Sequence, residues 1–224
     1  MSQTETAVSP RAEATRAALV QSALDLFGAK GFEATSTREI AAAAGANLAS
    51  IAYHFGGKDG LRTACANSVV ATIGEIFARA GGEAAEVERL TPDEARGRLA
   101  RIAEAVIDAI VARAEAKAIA RFVLREMFEP SAAFERLFLG AFAPMHARAC
   151  AIWSRATGSA EESETTRLAV FALIAQVVYF RIARPAILRR MGWTDIGEAE
   201  AAAIKRVVIG NLNAAIAQAR GSRT

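Results

Sequence analysis

Residues 35–61 read TSTREIAAAAGANLASIAYHFGGKDGL, and the spacing within this stretch decides the fold. Ser36 and Glu39 stand at the head of an apolar run in the arrangement of a capping box, where each side chain accepts from the other residue's backbone N–H. A short helix to Ala44 follows. Gly45 supplies a left-handed turn residue, and Asn47 opens a third short helix over 48–54 with Ile51 and Phe55 on its inner side. Gly56-Gly57 breaks the chain again, and Lys58-Asp59-Gly60-Leu61 starts a fourth helix that runs to about residue 80. Two short helices joined through a glycine turn and braced by a longer one predict a tri-helical helix-turn-helix. Ile40, Ala44, Ile51, Phe55 and Leu61 are its expected core.

The bracing helix lies upstream, where Ala17, Val20, Leu24 and Phe27 recur at three- and four-residue steps and predict a helix over 14–30. Gly31 is expected to end it as an αL cap, with Phe32 folding back onto the stripe. Residues 1–10 carry polar and acidic side chains without an apolar run and read as a disordered leader, not a signal peptide.

Downstream, Gly81-Gly82 marks a loop and Thr91-Pro92-Asp93-Glu94 is a second strong helix start, with Pro at the first position and acids in the first turn. Further helices are predicted to about residue 114, over 115–128, over 131–157 with a break near Pro144, over 163–190 with a bend at Pro185, and over 198–220. From 168 to 182 apolar residues occupy every side of the helix, which implies a second apolar surface against it, such as a subunit interface.

With 224 residues, 53% of them hydrophobic, the chain can bury a substantial core, and its abundant Ala and only 5 Pro favour helix throughout. The expected class is all-α: the N-terminal helix-turn-helix domain plus a larger helical C-terminal domain. Cys65 and Cys150 form no CxxC pair, so neither a disulfide framework nor a metal site is indicated, no cofactor is expected, and a reduced cytoplasm fits best. The run over 168–183 is interrupted by Gln176 and Arg181 and falls short of the roughly 20 apolar residues of a membrane span. Net charge is +3, with 6 basic and 6 acidic residues up to Arg62 and 21 and 18 after it, so any case for nucleic acid rests on local geometry. An enzyme is not expected, since His54 and His146 are widely separated and no nucleophile elbow, P-loop or metal-spaced ligand set is present. A helical scaffold that never touches DNA remains the rival; salt-dependent binding to a palindromic site separates the two.

Residues 35–61 resemble the signature of the TetR family: a Thr-rich start, R-E-I-A, a glycine turn, a recognition helix, an aromatic-x-H-F-like end and K-x-x-L. The Y-H-F-G-G-K form and Arg125-Glu126-Met127 before Pro130 are similar to the CerR/CecR-type subgroup. Many members have Tyr where this chain has Ala52, and the aromatic here is Tyr53. The resemblance implies a DNA-binding domain over 11–62 and a helical dimerisation and effector-binding domain over 63–224. It also implies a homodimer on a palindromic operator in double-stranded DNA, a repressor released by an unknown small-molecule effector. The implied interface is a four-helix bundle from the last two helices of each subunit, and the effector would act by tilting the connecting helix 58–80.

Roles within the stretch follow from groove dimensions and donor chemistry. Thr37 at a helix N-terminus, Tyr53, His54 and Lys58 are expected to contact phosphate. Asn47, Leu48, Ala49 and Ser50 on the outer face of the recognition helix, with Arg38 from the preceding one, are expected to face bases. Effector-pocket candidates are Phe122, Met127, Phe128, Phe134, Phe138, Phe142, Met145, His146, Trp153 and Tyr179, with Arg121 and Arg125 as partners for a polar or anionic group. Aromatic and Met residues at helical spacing are equally what a plain core uses.

Overall fold

A computed structural model describes residues 9–81, 84–112 and 116–221 of the chain. Most of the expected leader, together with Gly82 and the helix junction near residue 114, lies outside the described residues. Among the described residues all regular structure is helical.

Helix α1 (Pro10–Lys30) begins one turn earlier than periodicity alone predicts, because Pro10 takes the first helical position, where its missing N–H costs nothing. Its buried stripe is Leu19, Val20, Ala23, Leu24 and Phe27, whereas Ala17, expected in the stripe, is exposed. Gly31 closes the helix with φ 88° and ψ 167°, a positive-φ terminus other than the expected αL cap, and its N–H still donates to the Phe27 carbonyl. The Phe32 ring folds back to within 5.4 Å of the Phe27 ring. Helices α2 (Thr37–Ala43) and α3 (Ala49–Phe55) follow, packed on α1 and on each other.

Helix α4 (Lys58–Arg79) leads through a 3₁₀ segment (Ala84–Arg89) to α5 (Pro92–Val106), which continues as a π-helical segment (Ile107–Ala112). Then come α6 (Ala116–Phe128), α7 (Ala132–Leu137), a second π-helical segment (Phe138–Phe142) and α8 (Ala143–Thr157), so the break predicted near Pro144 is a local widening of the helix. The helix expected over 163–190 is two: α9 (Glu164–Ile182) and, with Pro185 in its first turn, α10 (Arg184–Met191). Helix α11 (Glu198–Gly221) ends the described chain.

These helices form two compact units. One takes the chain through Val70 together with Ala118–Leu137, so most of α6 and all of α7 fold with the helix-turn-helix despite their distance in sequence. Leu19, Leu24, Phe27, Ile40, Ile51, Leu61 and Phe122 are among its fully buried side chains. Gly28 of α1 passes so near α6 that an added Cβ would lie 3.0 Å from the Ala118 carbonyl oxygen.

The other unit comprises Ala71–Lys117 and the chain from Phe138 onward. In it α5, α8, α9 and α11 pack around Leu99, Ile152, Trp153, Val170, Leu212 and Ile216. Helix α9 buries Val170 and Val177 but leaves Leu168, Phe171, Tyr179 and Ile182 exposed, with Val207 of α11 exposed as well. By length and composition α9 is also apolar enough to cross a membrane, contrary to the expectation from the 168–183 run, and only 17% of its most apolar window is buried.

Candidate nucleic-acid interface

The capping box expected at α2 forms: the Ser36 hydroxyl accepts from the Glu39 N–H at 3.2 Å, and Glu39 accepts from the Ser36 N–H at 2.9 Å. Glu39 also accepts from Lys30 Nζ at 2.7 Å. The Lys30 hydrogen bond foremost, then those from Ser36, hold its carboxyl down at about 2. The box fixes where α2 starts, and Gly45, at φ 61°, turns the chain into α3.

Asn47 organises that turn. Its Oδ1 accepts from the Ala49 N–H at 3.0 Å, satisfying one of the free donors at the start of α3, and Leu48 between them already has helical backbone angles, φ −54° and ψ −39°. Expected to face bases, Asn47 is exposed and still has its amide N–H groups and the second lone pair of Oδ1 to offer. Helix α3 is sealed inward by Ile51 at 2% exposure, while Leu48 is 44% and Tyr53 83% exposed. Arg38 and Ala49 are exposed too, and Thr37, Ser50, His54 and Lys58 are half-buried. Tyr53 and His54 meet edge to face with centroids 4.9 Å apart, so the two rings orient each other at the end of α3. Phe55, expected in the core, is only half-buried and carries Arg16 over its ring at 5.6 Å.

Lys58 belongs to a lattice of cationic side chains that joins α1, α4, α6 and α7. Lys58 Nζ stands 4.2 Å and Arg62 Cζ 4.4 Å from the centroid of Phe32. Arg62 Nε donates to Glu126 of α6 at 2.7 Å, and the Ser131 hydroxyl donates to the same carboxylate at 2.7 Å. Arg125 donates to the carbonyls of Gly28 and Ala29, both at 3.1 Å, occupying acceptors left open at the C-terminal end of α1. Arg136 reaches Asn67 Oδ1 at 2.9 and 3.0 Å. The only hint of this lattice in the sequence is the four-residue step from Lys58 to Arg62.

The twelve pocket candidates do not gather in one unit. Arg121, Phe122, Arg125, Met127, Phe128 and Phe134 belong to the first, and Phe138, Phe142, Met145, His146, Trp153 and Tyr179 to the second. Arg125 is committed to α1, Phe122 and Trp153 are core side chains, and Met127, Phe128, Phe138 and Tyr179 are exposed. His146 stacks on Phe171 at 3.9 Å, and its Nε2 lies 3.1 Å from the Arg167 carbonyl. Two open clefts in the second unit, one lined by Arg79, Gly81, Arg101, Glu104 and Asp108 and the other by Ser154, Arg155, Thr157 and Arg220, include none of the twelve. Among the described residues no group of His, Cys, Asp and Glu could hold a metal ion.

Residues 19–65 match the profile of bacterial regulatory proteins of the tetR family, and residues 95–218 match the C-terminal domain of the HTH-type transcriptional dual regulator CecR. The chain is 33% identical over 208 residues to CecR of Shigella flexneri, covering 90% of this chain and 91% of that protein. Its fold is similar to that of AibR, solved with isovaleryl coenzyme A and operator DNA, at TM-score 0.64 and 19% identity over 88% of this chain and 96% of that one. A TetR-like transcriptional regulator from Rhodococcus sp. RHA1 superimposes at TM-score 0.62 and 20% identity, with 92% and 99% of the two chains covered.

Proposed function

Because the chain belongs to the TetR family of bacterial transcriptional regulators, we propose that it is a homodimeric repressor whose residues 11–62 hold a palindromic operator and whose residues 63–224 dimerise and bind a small-molecule effector. The observation that carries this reading is the two-sidedness of α3: Ile51 is sealed inside this helix of 7 residues, while Tyr53 on it and Leu48 at its head stand in water. An apolar and an aromatic side chain left outward on so short a helix gain partners when the major groove covers them, Leu48 on a thymine methyl and the Tyr53 hydroxyl on phosphate.

Thr37, His54 and Lys58 are the further phosphate contacts. Asn47, Ala49, Ser50 and Arg38 face bases. The exposed face of α9, with Val207 of α11, is the surface a second copy covers, since water-exposed apolar patches of this kind are typical of interfaces. Lipid is the alternative cover for that face, and Gln176 and Arg181 within the helix argue against it. An effector releases the operator only by preferring the spacing of the two recognition helices that does not fit it. The chain has no catalytic role in this reading.

Selection of fragments of the source genome by the full-length protein tests the proposal. A short palindromic site is expected, bound far more tightly than random duplex, with Ser50→Ala and Leu48→Ala shifting the preferred sequence. Equal affinity for selected and random duplexes would overturn it. Sedimentation of Phe171→Glu tests the dimer: a monomer is expected, and an unchanged assembly would place the interface elsewhere.

A further inference from the structure

We propose that Phe32 is a positioning residue for DNA binding, holding the Lys58 ammonium over its ring so that the charge is already in place when a phosphate arrives. The inference rests on Lys58 being a phosphate contact and assigns the residue that makes it one.

Lys58 and Arg62 lie one turn apart on α4 and both set their cations against the same ring, at 4.2 and 4.4 Å. Their charges are not equally available. Arg62 is neutralised by Glu126, whereas among the described residues no carboxylate stands within ion-pair distance of Lys58. Of the two cations on this ring, the uncompensated one is therefore the lysine.

A bare lysine on a surface explores many rotamers, and ordering it on binding costs free energy. The face of an aromatic ring attracts an ammonium through its quadrupole without consuming the directional N–H donors, which stay free for phosphate oxygens. A carboxylate in the ring's place would cancel the charge the phosphate needs. Phe32 is itself braced by Phe27, a buried residue of α1, so the platform is rigid with respect to the helix-turn-helix.

The test is a double-mutant cycle on random-sequence duplex, where phosphate contacts dominate and no knowledge of the operator is needed. Phe32→Leu keeps apolar volume against Phe27 but has no π face; it is expected to weaken binding about threefold, in line with an exposed cation–π contact. Phe32→Tyr keeps the face and is expected to bind as the parent does. In the Lys58→Ala background Phe32→Leu is expected to change nothing. An equal loss with and without Lys58 would overturn the positioning role while leaving the phosphate contact standing. A Lys58→Ala protein that binds as the parent does would overturn the contact and the positioning together. Should Phe32→Leu not fold, the parent decides by NMR: the Lys58 ε-methylene protons are expected upfield from ring current, and random-coil values would sink the proposal.

Discussion

Arg62 Nε donates over 2.7 Å to Glu126, a carboxylate at 2% exposure, and so ties the start of α4 to α6 across 64 residues of sequence. Removing one partner of a buried pair strands the other charge, at a cost of about 3 kcal/mol. Glu126→Ala is therefore expected to lower stability by about that amount in urea unfolding. A paired Arg62→Met, Glu126→Leu exchange should recover most of the loss. A single mutant within about 0.5 kcal/mol of the parent would mean that the pair carries no net interaction.

The capping box makes α2 acid-sensitive. Glu39 titrates near 2 in the folded chain against 4.5 for a free glutamate, the Lys30 hydrogen bond being the largest cause. A carboxyl depressed in this way stabilises the fold fully above about 4.5, and the contribution fades as pH falls toward about 2. The stability difference between parent and Glu39→Gln should shrink across that window and be flat above it. A difference independent of pH would argue against the ionic cap. Ser36→Ala, which removes the other half of the box, is expected to cost about 1 kcal/mol at neutral pH.

Neither thiol should react in the native state. Burial foremost, then the Glu126 charge, pushes Cys65 up to about 12, and burial followed by Glu162 and Glu161 pushes Cys150 to about 11. Thiolate, the reactive form, is scarce at such values. Titration with a disulfide reagent at mildly alkaline pH is expected to find no accessible thiol until denaturant is added, and then both. Rapid native labelling would mean that the helices open locally far more often than their packing implies.

Gly60 is fixed by close approach. A Cβ there would drive into the Phe55 carbonyl oxygen, a backbone atom that cannot swing aside. Gly60→Ala should displace the α3–α4 junction, lower stability by about 2 kcal/mol and abolish DNA binding. Gly74, on the same helix with open space around it, is the control: its alanine variant is expected to be at least as stable as the parent. Equal behaviour of the two variants would contradict the geometry.

Local signals carried much of the fold. The Ser36–Glu39 and Thr91–Glu94 boxes, the turn at Gly45 and the return of Phe32 onto α1 depend on residues a few positions apart, and the sequence displays them directly. The π-helical segment over Ile107–Ala112 contains no Gly or Pro to announce it, and at Phe138–Phe142 Pro144 marked the place of a break but not its form. Asn47 could be read as a helix opener or as a base reader; its side-chain oxygen caps α3, and the second lone pair and the amide N–H groups leave the other role open. The pocket candidates divide between the two units for a plainer reason. Large apolar residues at helical spacing look alike in sequence whether they end as core, like Phe122, or on the surface, like Phe128. Arg125 reads as a free cation, yet its partners are backbone carbonyls some 96 positions away, which no spacing rule can see.

The recruitment of Ala118–Leu137 into the same body as α1–α3 sets a limit on how this regulator can be cut and rejoined. A hybrid made by grafting residues 1–62 onto a foreign sensor would uncover the side of α1 near Gly28, strand Arg62 without its carboxylate and leave the end of α1 without Arg125. A transplantable reading head is a split one, drawn from both sides of α5, and the graft that keeps it intact must exchange the sensor around it.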